Sequence, residues 1–278
     1  MSDGNTPVPG ELEIALDQSL PDPLHEAYEN LLSRIFGLPE MPMKAALVKR
    51  RLETMEPEET VWCLDQILRA ALWGHKGAME TMMATTWWLI ELRRDDDYDL
   101  LKSLFEAAHE TDRLSVLDLF RDVPPHRALA DGQKLPEVRL PMDRDITLGE
   151  RRAMASGPKR RILERLLQDP DPLVIRKLLD NPNIRLKDVQ VVTTRRPTTP
   201  NLLREVVQHP RWFRRYGTRE SVLRNPYAET GLALKLLPTM RIKTLRRLKY
   251  SGDLHPLIHE AASRLVTLRE EKTAPWRV

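Results

Sequence analysis

Two histidines four residues apart, His255 and His259, could share one helical face and offer a metal two imidazoles. No Glu follows His255 as a zinc-protease motif requires, Pro256 intervenes at the helix start, and no third or fourth ligand is identifiable. Asp95-Asp-Asp-Tyr-Asp99 has the acidic density of a calcium loop without its glycine or distal glutamate, so a solvated, helix-capping turn is expected. Gly157-Pro-Lys159 lacks the preceding glycine and the following Ser or Thr of a phosphate loop. There is no Gly-x-Ser-x-Gly elbow, and Cys63, beside Trp62, has no histidine near it in sequence. The residues thus predict no catalytic group, no metal and no cofactor: a non-enzymatic protein.

Basic side chains are the richer signal. Arg211-Trp-Phe-Arg-Arg-Tyr216 is followed by Arg219 and Arg224, and a second cluster runs from Arg241 to Lys249. Basic groups interleaved with aromatics suit phosphate contact and base stacking. A solvated basic face is the commoner meaning, with Trp212, Leu245 and Leu248 turned to a core. Arg211, Arg214, Arg215, Arg219, Arg224, Lys243, Arg246 and Arg247 are the candidate partner-binding residues. They are expected to meet an acidic protein surface, with nucleic acid as the alternative occupant of the same face.

The elements that position these residues repeat. Pro182, Pro210 and Pro238 are spaced by 28 residues, and Pro172, Pro200 and Pro256 keep the same phase, with Ala228 at the missing position. Proline fits the first turn of a helix, where its absent N–H costs nothing, so the second series reads as helix starts, with Asp171 and Thr199 as caps. The first series reads as corners, because proline biases the residue before it away from helical angles. Val174, Ile175, Leu178 and Leu179 then form one apolar stripe. So small a unit cannot bury its stripe alone, and neighbouring units must stack.

The pattern Asp-Pro-Asp-Pro-x-Val-Ile-Arg-x-Leu-Leu-x-Asn-Pro from Asp169 to Pro182, with Asn225-Pro226 and Leu236-Leu-Pro238, resembles bacterial HEAT-like repeats and the related leucine-rich-repeat variants. The resemblance spans roughly Leu148 to Val266 and implies an all-α solenoid that works by contact, usually without catalysis. Gly231 and His259 stand where the first two copies place apolar residues. Some HEAT-like proteins cradle DNA and excise damaged bases, but the acidic and aromatic groove residues this needs have no counterpart that can be placed here.

The expected organisation is all-α: a helical N-terminal domain followed by a short solenoid of about four 28-residue HEAT-like two-helix repeats. Residues 1–10 read as a disordered tail, 11–122 as an acidic helical domain and 123–146 as a Pro-rich linker or extended surface segment. Residues 147–270 form the basic repeat domain and 271–278 a tail. Residues 1–140 hold fifteen Lys and Arg against twenty-six Asp and Glu, and the rest hold twenty-nine against fifteen, so a near-neutral total hides two opposed halves. These halves could face each other within one molecule, pair between two, or serve different partners. Met79, Met82, Met83, Trp87 and Trp88 crowd one helix, more often a sign of core than of a ligand site; any exposed part becomes a docking candidate. One cysteine excludes an internal disulfide, no signal-peptide pattern opens the chain, and the uncharged run Thr81–Ile90 is too short for a membrane span. A cytoplasmic scaffold or adaptor is the resulting expectation.

Overall fold

The computed structural model describes residues 22–92, 97–141 and 144–271, which hold sixteen α-helices and no strand. The all-α expectation holds. Both tails and Asp95 and Asp96 of the acidic run lie outside the described residues. No described helix is long and apolar enough to cross a membrane.

Six helices form the first half: α1 (Asp22–Phe36), α2 (Met41–Leu52), α3 (Pro57–Leu72), α4 (Lys76–Glu91), α5 (Tyr98–Glu110) and α6 (Leu114–Phe120). Pro57 opens α3 after a reciprocal cap between Glu56 and Glu59. Gly74 closes α3 at φ 96°, a left-handed angle that suits glycine, and His75 Nδ1 then accepts the Ala78 N–H at 3.1 Å to start α4. Helix α4 packs against α1, α2 and α3, burying Met82, Trp87 and Trp88.

The Pro-rich stretch after Phe120 holds no helix among its described residues before Leu148 and lies along the second half: Arg127 N–H donates to Pro226 O at 2.9 Å and Gly231 N–H to Val123 O at 3.1 Å. Ten helices follow: α7 (Leu148–Ala155), α8 (Arg160–Leu166), α9 (Pro172–Asp180), α10 (Leu186–Thr194), α11 (Pro200–Gln208), α12 (Pro210–Phe213), α13 (Tyr216–Leu223), α14 (Thr230–Leu236), α15 (Ile242–Leu248) and α16 (Pro256–Glu271). Pro172, Pro200 and Pro256 start helices as expected, and Asp171 caps α9 by accepting the Leu173 N–H at 2.8 Å. Thr199 makes no side-chain cap. Pro210 differs from the reading as a plain corner, since it also opens the short α12.

Three side-chain bonds join residues that are 28 positions apart in sequence. Arg160 Nη1 reaches Asp188 at 2.8 Å, Thr193 meets Ser221 at 2.7 Å, and Tyr216 meets Thr244 at 2.8 Å. Asparagines clamp helix ends across units. Asn181 Nδ2 donates to Ala155 O and Gly157 O beyond α7, and Asn225 Nδ2 donates to Thr193 O and Arg195 O at the end of α10. Each satisfies carbonyls that a helix terminus leaves without partners.

One apolar cluster lies within residues 135–212, while a larger one joins residues 28–120 to residues 203–266. Helix α14 packs on α4 and α6, and α16 on α3 and α6. Trp73 Nε1 donates to Leu268 O at 3.0 Å, Thr86 Oγ1 to Lys235 O at 3.2 Å, and Arg264 pairs with Asp118. The Pro-rich segment therefore does not divide the interior, and residues 203–266 are built against the first half of the chain.

Lys235 on α14 is drawn into this junction, and burial pulls its ammonium down to about 8, with Arg204 adding repulsion. The unfolded chain binds that proton up to the ordinary lysine value of 10.5. Between these values the unfolded state holds more protons than the folded one, so stability rises with pH there. Urea titrations at the two ends of the window should show wild type gaining stability relative to Lys235→Met as pH rises. Parallel profiles would mean that Lys235 stays solvated.

Candidate functional site

Seven of the eight basic candidates divide into three groups. Arg211 is committed to the fold: it lies over the Trp212 ring at 4.3 Å and donates to Ile184 O at 3.2 Å. Arg246 pairs with Glu270 at 3.0 Å, while Arg247 and Arg224 share Glu220 at 3.4 and 3.8 Å. These are exposed pairs of small energetic weight. Arg214, Arg215 and Lys243 are exposed and make no ion pair among the described residues; Arg214 reaches Pro39 O at 3.5 Å.

Arg219 corrects the sequence reading. It is 4% exposed and so is no part of a solvated basic face. It stands one turn before Val222 on the inward side of α13, where its guanidinium lies 5.4 Å from the Phe213 ring and 6.0 Å from that of Tyr216. Its Nε donates to Thr239 Oγ1 at 3.2 Å and its Nη1 to Phe213 O, while Nη2 has no acceptor among the described residues. No carboxylate stands within salt-bridge distance of it among the described residues; burial pulls its pKa down to about 10, and the more distant charge of Glu80 offsets that only in part. A buried arginine in this condition gains much from an anion brought to its open edge.

That edge lines a cleft of about 680 Å³ between α3, α4, α13, α15 and α16. Met79, Met83, Met240, Ile242 and Leu245 supply apolar walls, and Lys76, Arg241 and Arg269 join Arg219 in supplying positive charge. Arg241 stacks 4.6 Å from the Tyr216 ring. Glu80, the cleft's one carboxylate among the lining residues, is held by Lys44 at 2.6 Å. None of the four cations has a carboxylate partner among the described residues.

Only Arg219 of the candidates enters this cleft. Arg241 lay within the second basic cluster but was not among them; Lys76 and Arg269 carried no signal, since their neighbours here come from distant parts of the chain. The methionine stripe did point this way. Met82, Trp87 and Trp88 are core, whereas Met79 and Met83 are half-buried and face the opening.

The remaining reactive types are placed for structure. Cys63 is buried, which pushes its thiol up to about 12, far from a usable thiolate. His255 Nδ1 accepts the Leu257 N–H at 3.2 Å at the start of α16, and no cluster of three metal-ligating side chains exists among the described residues. Comparison with family models, curated proteins and solved structures returns no match.

Proposed function

We propose that this protein is a non-enzymatic adaptor that grips an acidic, apolar-rich segment of a protein partner in the cleft between its N-terminal helices and a HEAT-like repeat array. The observation that carries the reading is Arg219, a buried cation that lines a cleft with apolar walls and has a donor no described residue accepts. Methionine walls adapt to varied side chains, which suits contact with peptide rather than one rigid metabolite. Arg241, Arg269 and Lys76 at the opening steer acidic residues, and exposed Arg214, Arg215 and Lys243 extend that field.

Peptide display selected on the full chain tests this. Selected sequences should be rich in Asp or Glu beside Leu, Ile or Phe. Arg219→Met should weaken their binding by about tenfold or more, the loss of one charge-assisted bond. The same substitution should lower the unfolding free energy by about 1–3 kcal/mol, since removing a buried cation is more than offset by the loss of its bonds to Phe213 O and Thr239 Oγ1, and binding is compared on the folded variant. Binders without acidic residues, or binders indifferent to Arg219→Met, would sink the proposal.

A further inference from the structure

On another part of the repeats, under the Pro-rich segment, lies a separate pocket of about 510 Å³ whose lining includes Arg139, Arg165, Arg195 and Arg196, with Glu137 as its one carboxylate among the described residues. Three of the four guanidinium groups are oriented by backbone carbonyls. Arg165 Nη1 donates to Arg139 O at 2.7 Å, Arg195 Nη1 to Gln168 O at 2.7 Å, and Arg196 Nη2 to Arg224 O at 2.8 Å. The repeat explains the last two. Gln168, Arg196 and Arg224 occupy equivalent positions 28 residues apart, so adjacent arginines reach opposite ways, one back to the end of α8 and one forward to the end of α13.

Each anchor uses one nitrogen and leaves further donors of a rigid fork. Neutralisation is sparse: Arg196 stands 3.7 Å from Asp253, Asp169 beside Arg195 is bonded to Arg151 at 2.9 Å, and the exposed Arg139 side chain makes no ion pair among the described residues. Part of the Arg195 side chain is also withdrawn from water, which lowers its pKa.

We propose that this pocket binds a phosphoryl group, carried either by a small phosphorylated molecule or by a nucleic-acid backbone. Planar arginine forks match phosphate oxygens in pairs, and carbonyl anchoring means that little side-chain freedom is lost on binding. The site shares no residue with the cleft and does not depend on it.

Inorganic pyrophosphate and short oligouridylate are titrated calorimetrically into the full chain at constant ionic strength, with chloride as control. Binding of pyrophosphate alone identifies the small-molecule source; tighter binding of oligouridylate with a steep salt dependence identifies the backbone source. In either case Arg195→Gln and Arg139→Gln should each weaken binding by about tenfold. Arg139 is exposed and its side chain bonds no other described residue, so Arg139→Gln remains informative if Arg195→Gln unfolds the protein. No heat beyond the chloride control, or equal binding by wild type and Arg139→Gln, would overturn the assignment.

Discussion

Gly231→Ala is expected to lower the unfolding free energy by about 1–3 kcal/mol, an overpacking penalty for a single methyl. A Cβ at residue 231 would stand 2.5 Å from Arg121 O and 3.3 Å from Val123 N, both backbone atoms. The crossing segment cannot retreat cheaply, because Gly231 N–H bonds Val123 O and Thr230 N–H bonds Pro124 O at 3.4 Å. Gly149→Ala on α7, where a Cβ meets nothing within 4 Å, is the control and should stabilise by about 0.5–1 kcal/mol. Urea denaturation followed by circular dichroism measures both. A cost at residue 231 below about 0.5 kcal/mol would mean that the segment moves aside freely.

Phe213→Ala should cost more, about 3–5 kcal/mol, because it empties a fully buried aromatic site. Its ring meets Trp87 edge-on at 5.0 Å, so it is a direct aromatic contact between α4 and the repeats. It also lies beneath the Arg219 guanidinium, and the residue's own carbonyl accepts from Arg219. The same truncation should therefore weaken acidic-peptide binding, through a displaced Arg219. Phe213→Leu keeps most of the volume and should cost about 1–2 kcal/mol. A loss below about 1 kcal/mol for the alanine variant, by thermal or urea unfolding, would show that α4 and α12 close over the gap.

What the sequence disclosed was local. Proline spacing located the starts of α9, α11 and α16, and Thr147 and Glu150 form the expected capping box at α7. Trp212, Leu245 and Leu248 are buried, turned to a core as expected. Arg219 was misplaced because its charge outweighed its position, three residues from Val222 on the inner face of α13. Gly231 looked like a lapse in the repeat and is instead the point where residues 121–124 cross α14. The cleft was illegible for a different reason. Its walls come from residues 36–83 and 216–269, and no periodicity within either stretch encodes their meeting.

The bond from Trp73 to Leu268 spans 195 residues and ties the first half of the chain to its last described helix. Helices α3 and α6 rest on α16 as well as on their neighbours, so the parts of their apolar faces that meet α16 have no permanent cover until that helix has left the ribosome. Synthesis at roughly 5–20 residues per second leaves those faces open for on the order of ten seconds or more. An early pause or a truncated message would release an acidic helical fragment whose remaining surface is adhesive. The nascent protein thus depends on its final stretch, and a holding chaperone would have its work on the first.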